Sequence, residues 1–373
     1  MDKNHRDIII IGGGLAGLIA AHQLSKAGKD VLLIEKKEYP FHRVCGEYIS
    51  NEVRNFLIKE GLFPGEIEPA EITKFRLTSV VGKQAEIDLD LGGFGVSRHF
   101  LDQFFYQKAR EAGTQFLLQT QAEDLSYSPK EDLFEVKLQN GNRVHAKHLL
   151  GAFGKRSKID KQLDRSFMKT KSPYIGVKYH VRLDYARDVV GLHNFEGGYC
   201  GINRIEEDKF NLCYLGSRKQ LRAFGNIPEM EKKILHKNPH LKAIFENADF
   251  LFEKPEVINE INFSTKKPVE DHILMIGDAA GLITPLCGNG MAIAIHTGKL
   301  AAEAILQNKD RPTIENQYTL LWNHHFKRRL WIGRKVQWLF GSQRISTFSV
   351  NLMRHSEFLT KKIMENTHGT NIA

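Results

Sequence analysis

Asp7 to Glu35 reads DIIIIGGGLAGLIAAHQLSKAGKDVLLIE, and the fold class follows from this stretch. Ile8 to Ile11 is a short β-branched run ending at Gly12, the pattern of a strand buried on both faces of a parallel sheet. Gly12, Gly14 and Gly17 then fall in G-x-G-x-x-G spacing and open a helix over Leu15 to Ala27, rich in Ala and Leu and stopped by Gly28. Such glycines permit a tight turn, close approach of the backbone to a pyrophosphate, and tight packing of helix on sheet. The helix N-terminus offers its free N–H groups and positive dipole to the anion. Val31 to Ile34 is the next strand, and Glu35 closes it, placed to accept hydrogen bonds from a ribose 2′-OH. A carboxylate there repels a 2′-phosphate, so FAD or NAD is expected in preference to NADP.

At 373 residues the chain can form two domains or one large elaborated one. The polar start MDKNHRD runs straight into the first strand and leaves no room for a secretory signal, and no apolar run approaches bilayer-spanning length. Cys45, Cys200, Cys213 and Cys287 show no metal-ligand or C-x-x-C spacing, so no metal is expected and reduced thiols in a cytoplasmic protein are.

The net charge of +9 is concentrated near the C-terminus. Residues 316–356 hold no acid, while Lys327, Arg328, Arg329, Arg334, Lys335, Arg344 and Arg354 supply seven positive charges. Trp322, Phe326, Leu330, Trp331, Trp338, Leu339 and Phe340 are interleaved with them at partly helical spacing. No nucleic-acid motif accompanies these residues, so nucleic acid is not an expected partner. A helical cap with core aromatics and solvated charges is the leading reading. A peripheral contact with the inner face of an anionic membrane, or with an acidic carrier protein, stays open beside it.

Far along the chain, His272 to Asp278 (HILMIGD) is an apolar strand that delivers a carboxylate at its C-terminal end, where ligands sit in open α/β sheets. Small residues follow, then Pro285, then Gly288, Asn289 and Gly290 ahead of a long helix, Met291 to Leu306. That helix would aim its positive end at a ligand over the sheet edge.

The set GGGLAG, Glu35, RVCGE, VSRHFLD, GAFGKRS and GDAAGLITPLCGNGMAIAIHTGKLAAE resembles the FAD-dependent oxidoreductases grouped with geranylgeranyl reductases, aromatic-ring flavin monooxygenases and flavin-dependent halogenases. The resemblance implies noncovalent FAD. It puts Gly12, Gly14, Leu15, Ala16, Gly17, Glu35 and Lys36 at the ADP half, and Gly277 and Asp278 at the ribityl chain. Arg98, Ala122, Arg43 and Cys45 become further cofactor contacts, and Pro285, Gly288, Gly290 and Met291 lie against the flavin ring. Cys45 and Tyr199 are the catalytic candidates, and NADH or NADPH is the implied electron donor.

The chain also departs from these relatives. The Tyr-x-Trp-x-Phe-Pro signature of the reductases is reduced to Tyr199 within Gly198 to Arg204, and the halogenase Trp-x-Trp-x-Ile-Pro is absent. Gly281 stands where ring hydroxylases usually have His, and the third motif lacks its Asp at Ala152 to Ser157.

The expected architecture is α/β: a Rossmann-like FAD-binding domain of the glutathione-reductase and p-hydroxybenzoate-hydroxylase type, an inserted antiparallel β-sheet substrate domain, and C-terminal helices. The FAD-binding part would comprise residues 1–74, 97–160 and 265–310, the substrate part 75–96 and 161–264, and the helical region 311–373. Tyr179, His180, His193, Tyr199, Cys200, Asn203 and Tyr214 are candidates to face the ligand. The leading function is a monooxygenase of an apolar aromatic or quinone-like molecule. Its alternatives are a reductase or dehydrogenase of an alkene or lipid, an electron-transfer flavoprotein dehydrogenase, and a non-catalytic FAD-binding scaffold.

Overall fold

A computed structural model describes residues 5–259, 261–282, 289–336, 340–355 and 369–372. Strand His5–Ile11 runs parallel to Val31–Ile34 on one side and to Arg143–Gly151 on the other. Gln115–Leu117 and Ile273–Met275 extend this sheet outward, again in parallel. Ile8, Ile9 and Ile10 are fully buried because helices cover the sheet, which is why the strand reads as a continuous apolar run. An antiparallel meander, Ala122–Ser128 and Leu133–Leu138, leads into Arg143–Gly151.

The first helix spans Leu15–Lys26, with Gly28 beyond it at φ 79°. It packs against helix Arg98–Glu111 and against the long helix Gly290–Gln307. Glycine sets the distance to the latter: a Cβ on Gly298 would stand 2.4 Å from the Ala16 carbonyl oxygen. The two helix starts are thereby held on the same side of the core.

The second sheet has nine strands and is antiparallel apart from one parallel pair, Ala70–Thr78 with Val189–Phe195. It begins earlier in the chain than the pattern suggests. Tyr48–Ser50 and Ala70–Thr78 both belong to it, although the sequence pattern places residues up to 74 in the nucleotide-binding part. A bulge between Ile72 and Lys74 breaks the period-two alternation there and hides the strand.

The two faces of this sheet have different neighbours. Val177, Tyr179, Cys200, Leu212 and Tyr214 point to the far face, under helices Ile227–Ile234 and Pro239–Asn247. Tyr179, Cys200 and Tyr214 are therefore core residues rather than ligand-facing ones, and burial pushes the Cys200 thiol well up. His193 is likewise committed to structure, bonded to Thr78 Oγ1 at 3.0 Å and stacked on His240. Alternation relates each of these residues to its strand neighbours, but only the packed helices decide which face is dry.

The C-terminal region forms helix Arg311–Trp322, a π turn Asn323–Lys327 and helix Arg328–Val336, then Gln343–His355. Trp322, Phe326 and Leu330 join the main core, as a cap requires, whereas Trp331 stands 55% exposed. Trp338 and Leu339 lie outside the described residues.

Within the far-face core, Tyr179 and Tyr214 both donate to Glu231 Oε1, at 3.0 and 2.8 Å. Burial outweighs these bonds and raises the Glu231 pKa to about 7. A raised carboxyl favours folding while protonated, so its contribution is present at low pH and is lost as pH rises from the ordinary carboxylate range through about 7. Glu231→Gln should remove that dependence. Relative to the wild type, the variant should gain about 2 to 3 kcal/mol in urea unfolding between roughly pH 5 and pH 8.

Candidate cofactor site

At the end of the first strand, Gly12 adopts φ 110°, and a Cβ there would lie 2.3 Å from the Ala152 carbonyl oxygen. Gly12 therefore serves the close packing of the turn. Gly14 differs: a Cβ on it would meet only Arg98 Nη2, at an ordinary contact distance of 3.8 Å, so no backbone packs over it. Gly14 also caps the helix with no side-chain hydrogen bond, leaving the amides of Leu15, Ala16 and Gly17 without a capping acceptor. An uncapped helix start with no backbone packed over it, beside a guanidinium, is a site for a diphosphate.

Glu35 is buried beside this turn. Its carboxylate accepts from Gly13 N–H at 2.8 Å and Lys37 N–H at 3.1 Å, with Arg43 Nη2 at 3.4 Å. One lone pair of Oε1 remains for a ribose hydroxyl. The Glu35 backbone pairs with Leu117 and Thr120, which brings the strand beginning at Ala122 alongside, while Lys36 is exposed.

Asp102, fully buried, joins the two arginines. Its carboxylate takes a bidentate pair from Arg98 at 2.7 and 2.8 Å and a third bond from Arg43 Nε at 2.8 Å. Burial alone would lower the Arg98 pKa, but Asp102 and the Cys45 thiol beside it raise it above the ordinary value. Arg43 also donates to the Gly13 carbonyl and stacks over Phe41. Arg43 thus contacts the glycine turn, Glu35 and Asp102.

The loop from Arg43 to Glu47 is pinned by the near face of the second sheet. Lys178 Nζ donates to the Arg43 carbonyl, Asn211 Nδ2 to those of Cys45 and Gly46, and Asn203 Nδ2 to that of Glu47. Glu47 sits at φ 53°, fully buried, between Lys178 Nζ at 2.5 Å and His180 Nε2 at 2.7 Å. Burial would raise its pKa, yet Lys178 and His180 hold it down to about 2. His180 and Asn203, both candidates to face the ligand, are bonded to this loop.

On the other side, Asp278 lies in the tight turn Gly277–Ala279 at the C-terminal end of strand Ile273–Met275. Lys266 Nζ donates to the Asp278 carbonyl at 2.8 Å and to that of Lys155 at 3.1 Å; burial lowers its pKa to about 8. The long helix starts at Gly290, again with no side-chain cap, and Met291 is buried beneath that start. Pro285 and Gly288 lie outside the described residues, as does Cys287. Tyr199 faces the near side in an apolar cluster with Leu192, Leu215, Ile261 and Leu282, its ring edge-on to Phe340.

These residues fit FAD: an uncapped glycine turn with an acid beside it, and a second strand end carrying Asp278 above a second uncapped helix. Sequence reasoning missed Tyr39, which donates to the Gly13 carbonyl at 2.6 Å, as well as Glu47 as an anchor, Lys178 and Lys266. Glu47 closes the RVCGE motif and carried a signal there. The two lysines carried none, because nothing in their local pattern marks a buried cation.

Gly14→Val should put a branched side chain over the turn and abolish FAD retention. Glu35→Gln should weaken retention only by about the value of a charged hydrogen bond, roughly 1.5 to 3 kcal/mol. Flavin-to-protein absorbance ratios after gel filtration measure both, and equal losses would contradict the assignment. Lys178→Met should strand the Glu47 carboxylate and cost about 3 to 5 kcal/mol in urea unfolding.

The chain is 26% identical over 358 residues to digeranylgeranylglycerophospholipid reductase 2 of Methanopyrus kandleri, covering 90% of this chain and 86% of that protein. A solved geranylgeranyl bacteriochlorophyll reductase-like protein from Thermoplasma acidophilum superposes with a TM-score of 0.78 at 19% identity, covering 97% of this chain and 96% of that one. PqsL of Pseudomonas aeruginosa, solved with 2-aminobenzoylacetate, superposes with a TM-score of 0.76 at 16% identity over 92% and 98%. Residues 5–306 match the FAD binding domain family, and the chain belongs to that family.

Proposed function

We propose that this FAD-dependent oxidoreductase is a monooxygenase of an apolar aromatic or quinone-like small molecule, with NADH or NADPH as electron donor. The observation that carries the reading is the apolar cluster on the near face of the second sheet. Leu192, Tyr199, Leu215 and Ile261 gather there with Leu282, four residues beyond Asp278. Phe340 and Val350 from the C-terminal segment close over the same cluster. FAD supplies the redox chemistry when bound, passing electrons from the nicotinamide donor to dioxygen.

The chain's own residues do the rest. Glu35, the glycine turn and Asp278 would hold the dinucleotide. The apolar wall would orient a flat substrate and exclude water, which protects oxygen transfer from competing reactions. Arg98 and Asp102 keep charge fixed beside the Cys45 loop.

A second reading, reduction of an alkene or lipid without oxygen, is favoured by the Cys45 thiol beside Arg98 and by relatives named reductases. The two readings differ in mass balance. The purified flavoprotein is to be bleached anaerobically with NADH and with NADPH, then given an apolar phenol and an isoprenoid alkene together with isotopically heavy dioxygen. The expected product carries one heavy oxygen atom. A product that gains two hydrogens and no label overturns oxygen transfer and leaves reduction.

A further inference from the structure

One surface of the C-terminal helices is not used by the cofactor site. Along Arg311–Trp322, Asn323–Lys327 and Arg328–Val336, the exposed positions Leu320, His324, Lys327, Trp331 and Lys335 recur every three or four residues and form one stripe, with exposed Arg328 beside it. Leu320 is 62% exposed and Trp331 55%, whereas Trp322, Phe326 and Leu330 on the opposite side are buried. Arg329, next to the stripe, pairs with the buried Glu52 at 3.0 Å. Lys327 and Lys335 meet no carboxylate among the described residues; 316–356 is free of acids, and Glu315, on the first of these helices, is paired with His272.

The stripe also has a defined neighbour. Arg334, between Trp331 and Lys335, lines a cavity of about 340 Å³ whose other walls include Tyr174, Ile261 and Phe263. Ile261 belongs to the apolar cluster assigned above to the substrate, and Tyr174 and Phe263 pack on it.

We propose that this stripe is a docking surface for an anionic phospholipid bilayer, with Leu320 and Trp331 entering the acyl boundary and Lys327 and Lys335 facing the phosphates. A Trp and a Leu standing out singly among cations suit a fluid interface, where an amphipathic indole sits at headgroup level. The cavity beneath Arg334 then lies where apolar molecules collect. This inference is independent of whether the flavin serves oxygen transfer or reduction, because docking is read without turnover.

The test is flotation of the FAD-loaded full chain with vesicles of phosphatidylcholine, with and without phosphatidylglycerol, at low and high salt. The wild type is expected to float with the anionic vesicles only, and less so as salt rises. Lys327→Gln/Lys335→Gln should lower partitioning by roughly 30-fold, from about 1 kcal/mol for each cation. Trp331→Ala should lower it too while leaving the salt dependence intact. FAD content and thermal midpoint should stay constant in both variants, which separates docking from folding. A wild type that remains in the soluble fraction with anionic vesicles at low salt overturns the proposal, as does equal flotation of the double variant. Retention on an immobilised acidic carrier protein without flotation would likewise overturn it and give the stripe to that partner.

Discussion

The carboxylate of Glu47 anchors the loop that leads from the nucleotide-binding sheet into the second sheet. It belongs to the nucleotide-binding part by sequence, yet its partners Lys178 and His180 are on a strand of the second sheet, and all three are buried. Taking an ammonium and a carboxylate out of water costs several kcal/mol for each ion, and only mutual bonding offsets it. The arrangement is therefore intolerant of partial loss: with either partner gone, the other becomes an uncompensated buried charge. Its consequence is positional. The loop between Arg43 and Glu47 has its carbonyls bonded by side chains of the opposite sheet, so the place of Cys45 is fixed by residues more than a hundred positions away.

A second constraint comes from close backbone approach. Gly17 and Gly298 allow the turn, the first helix and the long helix to pack against one another at distances a side chain would forbid. Two helix starts without side-chain caps, one at Gly14 and one at Asn289, are thereby carried by one rigid core. Their amides and dipoles need no reorganisation to receive a ligand with charge near each end. Around this rigid packing and the ion cluster at Glu47, the near face of the second sheet is shaped by softer apolar contacts.

Those contacts include residues from the end of the chain. Phe340 and Val350 cover the near face of the second sheet, while Arg329 reaches Glu52 and Arg354 reaches the Gln84 carbonyl. The basic segment thus covers the near face of the second sheet, and its inner and outer surfaces differ sharply: aromatics in the core on one, cations and an exposed Trp331 on the other.

The sequence alone determined the nucleotide-binding half. The run Ile8–Ile11, the glycine spacing, Glu35 and the strand leading to Asp278 are local patterns, and local patterns are set by periodicity and by backbone conformations that few residue types adopt. Position in the second sheet was only half legible. Alternation separates Tyr199 from Cys200 by face, but that is a relation between neighbours and carries no information on which face meets helices Ile227–Ile234 and Pro239–Asn247. Tertiary structure decided that Tyr179, Cys200 and Tyr214 are core and that His180, Asn203 and Lys178 serve the cofactor loop. It also recruited Lys266 to the Asp278 turn. The reason is physical: a buried charge is stabilised by whatever group the fold brings within about 3 Å, and that proximity has no trace in the residues on either side.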